Sequence, residues 1–453
     1  MALIIKNGSV VTEQGVVNKD LKVENEKIAV IADNIEASVS DEVIDARGKL
    51  VLPGVIDAHV HFNMPAGNTV TADNFESGTT SAACGGVTTF IDYAELVEGK
   101  TLLESLKIRE AQAIGHSFID YNLHLEIPGQ CDFSLLDELE EIKAYGVKSL
   151  KVYTTYAMQL PDAKIKELLK KAGKLGMLVT IHAEDNDIVL AMKEEFLAKG
   201  KTSPAYHAAS RPHIVETNCI EKMIAYAREA EAPVYFVHVS TGEGARKIKK
   251  AQEEGQVVYG ETCPHYLVLT DECYERPQAQ KYIMTPPLRK KEDQDLLWEG
   301  LANGTFQCIT TDHCAFSLEQ KLASDSCFNS LAGIPGTETL LPLVYSEGVA
   351  KGRITLEQMV SLLATNPAKI FGLYPQKGVI AEGSDADLTL LDPEKEVTLT
   401  GEALHSASGY TPFEGMRVKG YPILTILRGK VLYQDGKFVA EAPEGRFVKA
   451  VSK

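Results

Sequence analysis

The sequence predicts a (β/α)8 barrel carrying a small β-sandwich domain formed from both chain ends. Three observations lead there. Eight apolar, strand-like runs alternate with helical stretches through the middle of the chain. Short β-like runs occupy the first fifty and last eighty residues. Metal-binding side chains stand at the ends of the central runs. The 453 residues suit one large domain plus a lesser one, and a hydrophobic content of 44% can build a substantial core.

Taken in order, the opening segment holds "LIIKNGSVV", "DLKVENEKIAVI" and "VIDARGKLVLP", with Asn7-Gly8 as a turn signal between β-like runs. The central runs are Val55–His59, Val87–Asp92, Tyr121–Glu126, Val147–Val152, Met177–His182, Val234–His238, Val257–Glu261 and Gln307–Asp312. Amphipathic stretches such as "PDAKIKELLKKAGKLG" and "GEGARKIKKAQEEG" separate many of them. Near-continuous apolar strands separated by helices signal a parallel sheet covered on its outer face. Eight such units over roughly 250 residues fit a closed barrel. The alternative, an open doubly wound sheet, would put its ligand at a single crevice. The final segment returns to strands, "DADLTLLDP" and "PILTILRGKVLYQDGKFV", with Asp435-Gly436 as a hairpin turn. Neither end buries much alone. Both are therefore assigned to one discontinuous domain, residues 1–52 and 376–453, beside a barrel over 53–375, which would bring the termini close.

Lys and Arg total 46 against 63 Asp and Glu, a formal charge of −17. This excludes the basic surface that phosphate backbones require and suits an enzyme acting on neutral small molecules. Eight cysteines without a C-x-x-C pair argue against a disulfide framework or zinc ribbon. No charged leader precedes an apolar stretch, and no run approaches the roughly 20 apolar residues of a spanning helix. A reduced, cytoplasmic protein with neither membrane nor nucleic-acid partner is expected.

The polar residues at the run ends carry the chemistry. Asp57, His59 and His61 alternate at the end of the first run, so they share one face. The two imidazoles can grip one cation, with Asp57 expected to support them from beneath. Lys151 ends the fourth run, His182 the fifth, His238 the sixth and Asp312 the eighth. A single histidine at a strand end is usually a hydrogen-bonded core residue. Four histidines and an aspartate at matching ends of four strands are hard to assign to chance. Imidazole and carboxylate without thiolate suit zinc first, and also manganese, iron or cobalt. Cys314 has no cysteine partner nearby and reads as structural. Lys151 is the odd member, because a dication would repel an ammonium. Either it pairs with a barrel-mouth carboxylate, or CO2 has carbamylated it to an anion able to bridge two metals. Spacing alone leaves both open. Tyr156 likewise reads, by itself, as a mouth tyrosine packed under a loop.

The stretches "GVIDAHVHFNMPAGNTVTADNFESGTTSAACGGVTTFIDY", "SLKVYTTY", "TIHAED", "FVHVST", "YGETCPHYLVLT", "YIMTPPLR" and "TTDHCAF" together resemble the hydantoinase/dihydropyrimidinase family of cyclic amidohydrolases. The likeness covers roughly residues 1 to 440, and "VIAEGSDADLTLLD" resembles the β-domain of that superfamily. The resemblance implies two divalent metals: His59, His61 and Asp312 on the more buried one, His182 and His238 on the second. It implies that Lys151 is the carbamylated lysine (N6-carboxylysine) bridging both. Tyr156 matches the tyrosine that hydrogen-bonds the oxyanion. Thr285 falls where backbone groups hold the substrate ring, a position where the family commonly has serine. The implied reaction opens the cyclic amide of hydantoin- or dihydropyrimidine-like rings to N-carbamoyl amino acids, through a hydroxide bridging the metals. Asp312 would take its proton and pass it to the leaving nitrogen. A homo-oligomer, tetramer or dimer, is implied as well.

Several residues depart from the pattern. "LAGIPGTE" replaces the usual "NGGPG", so Ala332 stands where an asparagine commonly helps bind the ring. Asn63 and Ala66 replace Asp and Phe, and the smaller residue at 66 reads as a roomier pocket. Met64, Tyr153, Ala157 and Met158 are candidates for the subsite of the ring substituent. Cys263-Pro264-His265 resembles allantoinases more than the hydantoinase Cys-Pro-Gln, which keeps allantoinase as the alternative, although Met64-Pro65 stands where that group commonly has Glu-Pro. Dihydroorotase ranks lower, since Asn63 occupies the place of its substrate-binding arginine. Non-catalytic scaffold relatives have lost metal ligands, whereas this chain keeps all six positions and Tyr156.

Overall fold

The structure, a computed structural model, describes residues 2–451. Its centre is a ring of eight strands: β1 (Val55–Val60), β2 (Val87–Ala94), β3 (Asp120–Glu126), β4 (Ser149–Tyr153), β5 (Leu178–His182), β6 (Val234–Phe236), β7 (Val258–Thr262) and β8 (Cys308–Ile309). They pair in chain order and all in parallel. A parallel bridge from Val60 to His313, with the His61 amide donating to the His313 carbonyl at 2.7 Å, joins β1 to the segment after β8. The sheet is therefore a closed barrel and not the open alternative. Every residue of β1 to β5 is buried, which is why these strands read as unbroken apolar runs.

Each predicted run coincides with a strand, but β6 and β8 stop short of theirs. His238 and Asp312 lie beyond the strand ends with φ of 40° and 50°. That left-handed backbone leaves the ladder and is uncommon outside glycine, a mark of sites where geometry outweighs local strain. The helices follow the sequence pattern. Asp162–Leu175 buries Ile165, Leu168, Leu169 and Ala172, one stripe at helical spacing. Burying each Leu or Ile contributes about 1.5–3 kcal/mol.

The chain ends form two further sheets. One has four strands, in the order Lys27–Ala32, Asp20–Glu24, Leu3–Lys6 and Glu42–Asp45. The other has seven and mixes both ends of the chain, with Leu50–Pro53 antiparallel to Leu388–Thr398. Ile5, Leu21, Val51, Leu388 and Ile426 share one core between the sheets. Asn7 (φ 63°) makes the expected turn, which passes the chain from one sheet to the other and does not close a hairpin. Asp435 and Gly436 (φ 49° and 87°) do close one, pairing Tyr433 with Phe438. The C-terminal tail then returns to the barrel. Val448 N donates to Tyr121 O (2.7 Å) and Ala450 N to Gly146 O (2.9 Å), at the N-terminal ends of β3 and β4. The opposite end of the barrel stays open.

Candidate metal centre and cavity

At that open end His59 and His61 project from the end of β1. Their Nε2 atoms lie 3.1 and 3.2 Å from Asp312 Oδ1. The three ligand atoms fit around one ion. Across the mouth, His182 Nδ1 and His238 Nε2 lie 2.9 Å apart, and the His59 and His238 rings are 5.5 Å apart between centroids. The structure thus gathers His59, His61, Asp312, His182 and His238 from four strand ends. Lys151, at the middle of β4, lines the same cavity, is 1% exposed, and sits with Nζ 5.0 Å from the centroids of both Tyr93 and Tyr153. Among the described residues its amine has no hydrogen-bond acceptor.

Hydrogen bonds outside the cluster set which imidazole nitrogens face inward. Glu261 Oε1 lies 2.5 Å from His59 Nδ1, so that nitrogen carries a proton and Nε2 is the nitrogen that faces Asp312, where it makes no hydrogen bond. Glu184 Oε2 lies 2.8 Å from His182 Nε2, which leaves His182 Nδ1 as the lone pair facing His238. Once a cation displaces the proton between His59 and Asp312, His59 Nε2, His61 Nε2 and the Asp312 carboxylate would be a donor set that suits a divalent ion.

The electrostatics agree. Burial pulls the His59 value down, but Asp312 and Glu261 outweigh it and lift it to about 9. The cluster therefore draws positive charge to the point the three ligands share. Burial pushes His61 down to about 4. Burial would raise Asp312, yet His59 and His61 hold its carboxyl well below the ordinary range. Burial also lowers the Lys151 amine to about 8.

Tyr156 stands over the cluster in a left-handed conformation (φ 67°). Its hydroxyl donates to Thr285 Oγ1 at 2.5 Å and lies 3.4 Å from Glu184 Oε2. The cavity beneath holds about 380 Å³. Met64, Tyr153, Met158, Thr285 and Ala332 all line it, as the sequence suggested. The Tyr153 hydroxyl is already committed, donating to Glu126 Oε1 at 2.8 Å, so only its ring faces the space.

The structure corrects the sequence reading at Asp57 and Ala157 and locates three further residues, Ala66, Cys314 and His265. Asp57 does not sit under the histidines: its carboxylate accepts from Thr311 N (3.0 Å) and Thr311 Oγ1 (2.5 Å), bracing the segment that carries Asp312. Ala66 belongs to a small hairpin, Pro65–Ala66 with Thr69–Val70, and neither it nor Ala157 is a lining residue of the cavity. Cys314, buried and in no disulfide, borders the cavity but is not among the clustered metal-binding side chains. His265 is buried against Tyr266, ring centroids 4.1 Å apart, and is not a lining residue of the cavity.

Sequence reasoning missed Glu261, Glu184 and Arg211. Glu261 ends a counted run and Glu184 follows His182 by two, so strand-end position alone could have found both. Arg211 lies on a loop with no periodic signal. Its Nη1 contacts Glu184 Oε2 at 2.5 Å and its guanidinium lies 5.5 Å from the Tyr156 ring centroid.

The sequence profile of the Amidohydrolase family matches residues 50–432. The D-hydantoinase of Ralstonia pickettii is 41% identical, the alignment covering 99% of each chain. The crystal structure of dihydropyrimidinase from Brevibacillus agri superposes with a TM-score of 0.96 at 40% identity over 99% of each chain. The L-hydantoinase (dihydropyrimidinase) of Arthrobacter aurescens superposes with a TM-score of 0.91 at 32% identity, again over 99% of each.

Proposed function

Because the chain belongs to the Amidohydrolase family, we propose that it hydrolyses the cyclic amide of hydantoin- or dihydropyrimidine-like ureides to N-carbamoyl amino acids. The single observation that carries this reading is the convergence of His59, His61 and Asp312 at the floor of a cavity roofed by Tyr156, with His182 and His238 beside them. His59, His61 and Asp312 would hold one divalent cation, and His182 and His238 a second. Lys151, as its carbamate, would lie between them. Its support is an amine with no acceptor among the described residues, lowered by burial to about 8, so that the uncharged form able to take up CO2 is far more accessible than in a free lysine. A cationic lysine would oppose metal. Zinc is the first choice for the donor set, then manganese, iron or cobalt. When bound, such ions lower the pKa of a coordinated water to about 7 and so supply a nucleophile at neutral pH.

The chain's own groups do the rest. Asp312, kept ionised by His59 and His61, accepts a proton from the attacking water. As oxygen bonds the ring carbonyl carbon, Tyr156 donates to the carbonyl oxygen in place of Thr285. A donor of this kind is worth about 3–4 kcal/mol in the transition state. Asp312 then returns the proton to the ring nitrogen as the C–N bond breaks. Met64, Met158 and the Tyr153 ring would face the ring substituent. A D-hydantoinase and an L-hydantoinase structure both superpose on this chain, with TM-scores of 0.97 and 0.91, which supports the view that such lining side chains, and not the fold, decide handedness.

The same reading divides the chain into residues 1–52 with 376–453, and a barrel over 53–375. The pairing of Leu50–Pro53 with Leu388–Thr398 supports it. It also makes the protein a cytoplasmic homo-oligomer, tetramer or dimer, in keeping with eight free, buried cysteines. Among the described residues no helix is long and apolar enough to cross a membrane.

The test is a panel assayed with metal-replete protein: hydantoin, 5-substituted hydantoins of each hand, dihydrouracil, allantoin and dihydroorotate. Ring opening of hydantoins or dihydrouracil, with allantoin and dihydroorotate much slower, is expected. Turnover restricted to allantoin would replace the reading by the alternative, and no turnover at all would overturn it.

A further inference from the structure

Lys321 is completely buried and, among the described residues, has no carboxylate partner. It sits in the short helix Leu318–Leu322. Its Nζ donates to three backbone carbonyls: Ile283 (2.8 Å), Leu331 (2.6 Å) and Gly333 (2.9 Å). The first belongs to the segment leading to Thr285. The other two flank Ala332. Ile283, Thr285, Ala332 and Gly333 all line the cavity. One ammonium therefore fastens two separate walls of the site, which also touch through the Gly333 amide donating to the Ile283 carbonyl at 3.0 Å. The neighbouring Gln320 reaches the other way, its Nε2 donating to Thr69 Oγ1 (2.6 Å) and the Val70 carbonyl (3.0 Å) in the hairpin that follows Met64.

Burying a cation without a counter-charge is expensive, and burial lowers this amine, yet only the charged form has the three protons that the three carbonyls accept. An apolar side chain would fill the space at less cost. It could not satisfy three inward-facing carbonyls, and it would not hold the two walls at a fixed separation. Ala332 has no side-chain hydrogen-bonding group, so any polar contact from that stretch to a ring must come from the backbone. Such contacts need backbone held to within a few tenths of an ångström.

We propose that Lys321 is a positioning residue for substrate: it sets the spacing and orientation of the backbone at 283–285 and 331–333 against which the cyclic ureide docks. This rests on the ureide-hydrolase reading, and it acts on ring binding more than on the metal cluster, whose ligands lie on other segments. The test compares wild type with Lys321→Met and Lys321→Gln as metal-loaded proteins. Two measurements are made: amide hydrogen exchange across 283–286 and 331–334, and steady-state kinetics with hydantoin and dihydrouracil. In Lys321→Met, exchange at both segments should rise at least tenfold while β1 to β5 stay protected. KM should rise tenfold or more with metal content kept and kcat within about threefold. Lys321→Gln, which keeps two donors, should fall between. Unchanged exchange at the two segments overturns the proposal whether or not the enzyme is active. Loosened segments with unchanged KM overturn it too. If the segments loosen but wild type opens no ring, the clamp stands and the ureide-hydrolase reading falls. A variant too unstable to purify shifts both measurements to Lys321→Gln alone, with the same criteria.

Discussion

Two lysines, each 1% exposed, occupy opposite ends of this barrel and teach opposite lessons. Lys377, at the closed end, is surrounded by carboxylates: Asp120 at 2.5 Å, Asp387 at 2.6 Å and Asp385 at 3.0 Å. Arg428 shares Asp120, and the C-terminal tail covers this end. Lys151, at the open end, has aromatic rings and, among the described residues, no acceptor. Burial acts on both amines, but the carboxylates around Lys377 more than reverse it and lift its value, whereas Lys151 stays lowered. A satisfied buried charge holds structure together, and an unsatisfied one marks a place awaiting chemistry or a ligand.

Substitutions can break that contrast. The largest effect on activity is expected from Asp312→Asn, which on the proposed reading removes a ligand and the proton acceptor together. kcat/KM should fall about 10⁴-fold or more, measured by ring opening, with folding intact by circular dichroism. Lys377→Met should have the largest effect on stability, about 3–5 kcal/mol in denaturant titrations, because it strands carboxylates in a buried site. Lys151→Met should do the reverse, abolishing turnover while the metal-free protein melts at or above the wild-type temperature. If both lysine variants destabilise equally, the contrast fails.

The comparison extends to pH. A lysine whose folded value is raised stabilises fully below its unfolded value, about 10.4, and that contribution is lost as pH rises through the folded value. Wild type should therefore lose stability on strong alkalinisation more steeply than Lys377→Met, read from melting temperatures above pH 10. Smaller effects should follow at the mouth. Tyr156→Phe should lower kcat by about 10²–10³-fold with metal retained. Glu261→Gln should weaken metal binding or activity by about 10–100-fold, by loosening the His59 tautomer. A Tyr156→Phe enzyme with near-normal kcat would remove that hydroxyl from the reaction.

How much of this was legible beforehand divides along the same line. The barrel strands were readable because both faces of each are buried, so apolar runs appear without periodicity. His59 and His61 were readable because strand alternation places them together. The second tier was not. Glu261 reaches across two strands to His59, and Glu184 meets Arg211 across 27 positions of chain, contacts that no local pattern encodes. His238 and Asp312 were found as residues but misplaced as strand, because left-handed φ at a non-glycine residue leaves no compositional trace. Asp57 was on the expected face, yet its partner, Thr311, lies 254 residues away. Nothing in the chain marks Lys377 or Lys321 as buried, since lysine normally signals surface.

The central claim is that four imidazoles, one carboxylate and a modified Lys151 hold two cations at the open end of the barrel. Its most direct test is the metal-to-protein ratio, measured by elemental analysis on wild type and Lys151→Met after metal loading in bicarbonate and removal of excess ion. Two ions per chain are expected in wild type, falling to one or none in the variant. A wild type that retains no stoichiometric metal, or a variant that still holds two, would contradict it.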